Sequence, residues 1–255
     1  TYTQAQVDEL VTAAGWAIME PGRNRLLAEL AVRDTGLGRV EDKVSKNHRK
    51  TLGLLRDLRG AKSVGVIAEY PEKGLVEIAR PVGVVAALVP STNPGATPAN
   101  NIINALKGAN AIILAPSPKG HSTCEKLVEL VHAELARSGA PLDLVQVLPQ
   151  PVSKAMSEEL MRQADLVVVT GSQANVRAGY SSGTPALGVG AGNVVVIVDA
   201  SADAADAAGK IARSKTFDHA TSCSSENSAV LLEPVYAAVV QVRACTQQLV
   251  AEAKA

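Results

Sequence analysis

Residues 81–116 read PVGVVAALVPSTNPGATPANNIINALKGANAIILAP. The run 82–89 is short and apolar and stops at Pro90. A turn follows, the pattern over 99–107 becomes helical, and 111–114 is apolar again until Pro116. Short Val/Ile/Leu runs without polar alternation predict strands buried on both faces. Strand, helix and strand in immediate succession predict a right-handed parallel crossover.

The same rhythm continues toward the C-terminus. Helices are expected over 123–137, 153–163, 173–180 and 202–215, and strands over 144–148, 166–169 and 194–198. The fold class is therefore α/β, a parallel Rossmann-like sheet with flanking helices. In such sheets ligands sit beyond the carboxyl ends of the strands, so residues directly after strands are the first candidates for function.

Upstream, the chain begins helical. Thr3 can cap a helix running to Met19, with Val7, Leu10, Val11, Ala14 and Ile18 on one stripe. Pro21-Gly22 breaks it, a second helix around Leu26–Val32 stops near Gly36, and a third covers about 41–58. Two β-rich runs, 64–69 and 75–79, flank Pro71-Glu72-Lys73-Gly74 and predict a hairpin. Its apolar residues exceed what a free hairpin needs, so the ribbon packs either on its own domain or on another subunit.

Bulk properties narrow the function. Of 255 residues, 47% are hydrophobic but only 2% aromatic, so the core is built from Ala, Val, Leu and Ile. Lys+Arg and Asp+Glu are both 25, which gives no electrostatic reason to expect nucleic acid or an anionic membrane as partner. The apolar runs are too short to span a bilayer. The first residues lack a signal-peptide pattern; the chain does not open on Met, so preceding residues are expected. The cysteines are Cys124, Cys223 and Cys245. They are scattered and odd in number, which fits a reducing cytoplasm. The four His form no zinc-ligand spacing, so no metal site is expected.

Four segments could carry chemistry. In Pro90-Ser91-Thr92-Asn93-Pro94 the Asn93 amide can donate to an oxyanion or simply cap a turn. Thr170-Gly171-Ser172, between a strand and a helix, suits a phosphate or a plain N-cap. Gly188-Val189-Gly190-Ala191-Gly192-Asn193 precedes a strand rather than a helix, which rules out the dinucleotide fingerprint. It is either a flexible connection or a place where backbone approaches a ligand or catalytic loop. In Thr221-Ser222-Cys223-Ser224-Ser225-Glu226 one cysteine stands among hydroxyls, unlike a structural cysteine. Cys124 and Cys245 lie on amphipathic helices and read as structural.

Taken in order, these segments resemble the aldehyde dehydrogenase superfamily, most closely its CoA-acylating branch, which includes acetaldehyde and sulfoacetaldehyde dehydrogenases. The resemblance is carried by Asp34-Thr35-Gly36-Leu37-Gly38, Lys46-Asn47-His48, Pro71–Leu75, Pro81-Val82-Gly83-Val84, Pro90–Pro94, Tyr180-Ser181-Ser182-Gly183, Gly188–Asn193 and Ser214–Asp218 leading to Cys223. It implies that Cys223 is the thiol that attacks the aldehyde, with Asn93 and the Cys223 N–H as oxyanion donors. It implies a nicotinamide cofactor along Ser91, Thr92, Pro116, Ser117, Thr170, Gly171, Ser172, Gly188 and Gly190. Hydrolytic relatives carry a water-activating Glu in the glycine segment, where this sequence has no carboxylate; its absence favours acyl transfer to CoA. They also carry a Lys where this chain has Ala115, which leaves NAD or NADP open.

The implied activity is oxidation of a short aldehyde, sulfoacetaldehyde or acetaldehyde, with CoA and NAD(P)+ to acyl-CoA. The alternatives are a non-catalytic nucleotide-binding fragment and an acyl-phosphate reductase. The resemblance divides the chain into a nucleotide-binding domain, 1–220, with an oligomerisation hairpin at about 63–80, and the truncated start of a catalytic domain, 221–255. Family chains are nearly twice this length, so the chain as written is expected to bind nucleotide yet be inactive alone. A homo-oligomer in the cytoplasm is implied, with no nucleic acid or membrane partner.

Overall fold

The computed structural model describes residues 2–241. Cys245 lies outside them. Two compact units are present. Among the described residues the first holds 2–36 and 40–190, and the second holds 37–39 and 191–241. The division at 190/191 falls thirty residues before the 220/221 boundary that the resemblance implies. Residues 37–39 join the second unit across a wide gap in sequence.

The first unit opens with helices α1 (Gln4–Met19), α2 (Pro21–Thr35) and α3 (Val40–Leu58). Thr3 caps α1 through a reciprocal capping box with Gln6. The stripe Val7, Leu10, Val11, Ala14 and Ile18 is buried, as its spacing predicts. Pro21 occupies the first turn of α2, where its missing N–H costs nothing, and the Glu20 carboxylate caps by accepting from the N–H groups of Gly22 and Arg23. Gly36, at φ 65°, ends α2 in the left-handed region that favours glycine.

The expected hairpin is β1 (Gly65–Tyr70) paired antiparallel with β2 (Leu75–Ala79), Gly74 turning the chain at φ 60°. Val66, Leu75, Val76 and Ile78 are each about half exposed on it.

Next come β3 (Val84–Val89), α4 (Ala96–Lys107), β4 (Ala111–Pro116), α5 (His121–Arg137), β5 (Val145–Val147), α6 (Lys154–Gln163), β6 (Leu166–Thr170), α7 (Gln173–Tyr180) and β7 (Ala186–Val189). The five strands form one parallel sheet in the order β5-β4-β3-β6-β7. Strand β3 is buried on both faces. Val85, Ala87 and Val89 pack with α1, α4 and α5, while Ala86 and Leu88 pack with Met161, Val167 and Val169. After β5 the chain returns to the other side of β3. The order therefore reverses between β3 and β6, the point at which such sheets open a crevice for ligands.

Strand β7 overlaps the start of the glycine segment, for which the sequence offered a connection or a close backbone approach but no strand. Gly188 pairs within the ladder opposite Val169. It is glycine because a methyl there would sit 2.7 Å from Val176 and 2.9 Å from the Tyr180 ring.

The second unit corrects one expectation. Residues 194–198 form β8 (Val194–Val198), but it pairs parallel with a strand not anticipated, β9 (Glu226–Leu231), in a separate two-stranded sheet. Helix α8 (Ala204–Thr216), capped by Asp203, connects them. Val198, Ala208, Val235 and Val239 make a small core of their own, the last two from a helical stretch at 233–241. Polar residues Glu226, Asn227 and Ser228 open β9, which is why its sequence reads as loop.

Candidate active site

The candidate cofactor residues of the first unit gather at one edge of the sheet. Ser91 and Thr92 follow β3, Pro116 and Ser117 end β4, Thr170 to Ser172 end β6 and start α7, and Gly188 and Gly190 end β7. Backbone hydrogen bonds draw these ends together: Ser117 N–H donates to Val89 O at 2.9 Å, and Gly171 N–H to Val189 O at 3.1 Å. The 90–94 turn is packed so closely on the start of α5 that a methyl on Gly120 would lie 2.8 Å from Pro94 Cβ. Below it, Asn47 donates to Asn24 at 3.0 Å and Asn24 to Val44 O at 3.0 Å, both buried, and Asn47 stands against Gly95. This gives a structural reason for the Lys46-Asn47-His48 segment.

Two features of this edge suit a nucleotide. The Ser117 hydroxyl is buried without a hydrogen-bond partner, which is costly unless a ligand supplies one. At α7 the Ser172 hydroxyl is spent capping Asn175 N–H at 3.3 Å, while the N–H groups of the first turn point outward from the helix start. His121 adds a group that sequence reading passed over. It is buried, its Nε2 donates to Leu148 O at 2.8 Å, and its Nδ1 makes no hydrogen bond, with the Glu125 carboxylate 3.9 Å away. Ala115 is buried in β4.

Asn93 belongs to this first unit and is half-buried in the turn; Cys223 belongs to the second. Cys223 is exposed, on a tight turn held by Ser225 N–H to Ser222 O at 3.2 Å, Ser225 Oγ to the same oxygen at 3.0 Å, and a Ser222–Ser224 hydroxyl contact at 2.9 Å. Cys124, by contrast, is completely buried, and burial pushes its thiol far above the ordinary range. That is the behaviour of an inert core cysteine.

The glycine segment does approach the thiol loop. A methyl on Gly192 would lie 2.6 Å from the Cys223 carbonyl oxygen. The approach is fixed from the other side, because Asn227 Nδ2 donates to Gly192 O at 2.8 Å and Lys215 Nζ donates to Asn227 Oδ1 at 2.9 Å. Of the two readings open from sequence, close backbone approach is the one observed.

Just upstream, Asp218, His219 and Ala220 all adopt positive φ, 51°, 52° and 58°. For residues with a Cβ this costs on the order of 1 kcal/mol each, so the turn needs outside support. His219 is exposed and makes no hydrogen bond to Cys223 among the described residues. Asp218 is completely buried. Its carboxylate accepts from Arg39 N–H at 3.0 Å and from the Thr221 hydroxyl at 2.7 Å, and its carbonyl accepts from Thr221 N–H at 3.1 Å.

Comparison with known proteins fits this arrangement. Residues 9–253 match the model of the aldehyde dehydrogenase family. The chain belongs to that family. It is 70% identical over 233 residues to an acylating sulfoacetaldehyde dehydrogenase of Cupriavidus necator, covering 91% of this chain and 47% of that enzyme. An acetylating aldehyde dehydrogenase structure from Geobacillus thermoglucosidasius superposes with a TM-score of 0.91 at 37% identity, covering 97% of this chain and 54% of the other. The propionaldehyde dehydrogenase of Rhodopseudomonas palustris, solved with bound CoA and an acylated cysteine, matches with a TM-score of 0.83 at 27% identity, over 96% and 55% of the two chains. The chain thus spans about half the length of the relatives it matches. Among the described residues no helix is long and apolar enough to cross a membrane, and no cluster of His, Cys, Asp or Glu suits a metal ion.

Proposed function

We propose that this chain carries the cofactor-binding part and the nucleophile of a CoA-acylating aldehyde dehydrogenase acting on a short aldehyde, with sulfoacetaldehyde as the first candidate. The observation that carries the reading is the close approach of the Gly192 backbone to the Cys223 carbonyl, in a segment that holds no carboxylate. The segment 188–193 offers no carboxylate, and Gly188 and Gly192 have no room for a side chain. Nothing in that segment can activate water against a thioester.

Cys223 Sγ attacks the aldehyde carbon, forming an S–C bond and an oxyanion. The Asn93 amide and the Cys223 N–H donate to that oxygen. NAD+ or NADP+, when bound, supplies the acceptor for the hydride that leaves the carbon. Ser91, Thr92, Pro116, Ser117, Thr170, Gly171, Ser172, Gly188 and Gly190 would hold it. The free Ser117 hydroxyl and the α7 N-terminus suit its ribose and phosphates. The thioester left on Cys223 is attacked by the CoA thiol, the C–S bond to Cys223 breaks, and acyl-CoA departs. A thiol needs less activation than water, so the missing base suppresses hydrolysis more than acyl transfer.

The domain roles follow the same reading: cofactor binding through about residue 220, with the catalytic domain beginning near 221. The half-exposed Val66, Leu75, Val76 and Ile78 support the β1–β2 ribbon as a contact between copies. A cytoplasmic site is proposed from the scattered free cysteines.

The test is acyl-CoA formation by mass spectrometry on the full-length gene product. The panel is sulfoacetaldehyde, acetaldehyde and propionaldehyde with NAD+ or NADP+, with and without CoA. CoA-dependent product, fastest with sulfoacetaldehyde, is expected. Equal nicotinamide reduction without CoA and release of free acid would overturn the acylating reading. Turnover that requires inorganic phosphate would favour an acyl-phosphate reductase.

A further inference from the structure

The structure assigns to Asp218 the role of positioning residue for the Cys223 loop, acting through Arg39 and Thr221. This rests on the reading of Cys223 as nucleophile. Three successive left-handed residues, Asp218 to Ala220, reverse the chain between the end of α8 and the cysteine turn. Ala220 has no polar side chain to favour that conformation, so the reversal persists only while something over-determines it. The Asp218 carboxylate does so. One of its oxygens accepts from Arg39 N–H and the other from the Thr221 hydroxyl, and Thr221 stands two residues before Cys223. The Thr221 N–H closes the same turn on Asp218 O.

The arrangement also explains residues 34–39. Gly36 and Gly38 take positive φ, 65° and 78°, and residues 37–39 leave the first unit to lie in the second, where the Arg39 amide meets Asp218. A backbone donor cannot be moved by a side-chain rotamer, so this anchor is stiffer than an ion pair between long side chains. The Cys223 turn is gripped from both sides, by Asp218 upstream and by the Gly192 backbone against its carbonyl. A nucleophile whose own N–H helps bind the oxyanion needs its backbone fixed as well as its sulfur.

The test uses the full-length gene product and variants that leave the buried charge in place. Thr221→Val removes the hydroxyl and Thr221→Ser keeps it. Ala220→Gly, added to Thr221→Val, relieves the left-handed strain. Steady-state acyl-CoA formation and amide hydrogen exchange across residues 217–225 are measured for each, with Cys223→Ala as a control. Thr221→Val is expected to lower kcat at least tenfold with the aldehyde KM within threefold, and to raise exchange across the loop at least tenfold. Thr221→Ser restores both, and Ala220→Gly recovers part of the loss. If Thr221→Val keeps wild-type exchange or wild-type kcat while Cys223→Ala is inactive, the positioning role is overturned. If Cys223→Ala retains acylating activity, the nucleophile reading itself fails, and the exchange data still report separately whether the clamp exists.

Discussion

Gly192→Ala is the substitution whose effect follows most directly from the structure. The added methyl would stand 2.6 Å from the Cys223 carbonyl oxygen, where ordinary contact begins at 3.4 Å. About 0.8 Å must therefore be found. Gly192 is not in the left-handed region, so alanine meets no backbone penalty, and the conflict is purely steric. The glycine side yields little, since its carbonyl is held by Asn227, which is held by Lys215. The displacement falls largely on the Cys223 turn. Misplacing a reacting group by about 1 Å can cost about 100-fold. We expect kcat to fall about 10- to 100-fold, equivalent to roughly 1.4–2.7 kcal/mol of barrier, with the aldehyde KM much less affected. The assay is steady-state acyl-CoA formation on the full-length gene product beside a thermal melt, with Gly53→Ala as reference. Gly53 lies within α3 with open space around it, so alanine there should leave kcat unchanged and stabilise by about 0.5–1 kcal/mol. A kcat for Gly192→Ala within threefold of wild type would refute the reasoning.

Three other outcomes are expected. Iodoacetamide followed by peptide mass spectrometry should label Cys223 in the native protein and Cys124 only after unfolding, because one thiol is exposed and the other is buried and held protonated; rapid native labelling of Cys124 would contradict its place in the core. Asp8 lies 2.5 Å from the nearly buried Lys107 ammonium, which holds its carboxyl below the ordinary 3.8. The stabilisation is fully present above the unfolded-state value and is lost as pH falls from there through the lowered folded-state one, so Asp8→Asn, at this half-exposed carboxylate, should cost at most about 1 kcal/mol at pH 7 and lose that cost once Asp8 is protonated in both the folded and unfolded states; a pH-independent difference in denaturant melts would refute this. Val76→Lys, on the half-exposed ribbon, should shift the full-length protein toward smaller species in sedimentation, and an unchanged mass would remove the ribbon from the contact between copies.

Much of this was legible from periodicity. The stripe of α1, the Pro and Gly punctuation around α2, the hairpin and the strands β3, β4, β5 and β6 each have a local cause that the sequence displays. What escaped it was decided by distant partners. Strand β7 carries a glycine because Tyr180 and Val176 occupy the space above it, and no local pattern reports that. Strand β8 has the composition of a sheet-core strand, but pairing is settled by its neighbour, and polar β9 supplied the neighbour.

The candidate site divides the same way. The candidate cofactor residues of the first unit share one edge because they follow strands, and a parallel sheet brings its strand ends together. The environment of Cys223 could be guessed from its hydroxyl-rich neighbours. The contact of Gly192 with its carbonyl, and the reach of Arg39 across 179 positions to Asp218, exist only in the folded chain. A buried aspartate beside a cysteine loop looks in sequence like any surface carboxylate.

Cys223 is proposed to carry the acyl group between aldehyde oxidation and CoA. The most direct measurement is to incubate the full-length protein with aldehyde and NAD(P)+ but no CoA, quench in acid, and map the adduct by peptide mass spectrometry. An acyl mass is expected on the Cys223 peptide, and it should disappear, with appearance of acyl-CoA, when CoA is added before the quench. Reduction of nicotinamide with no adduct on Cys223, or an adduct on another residue, would contradict it.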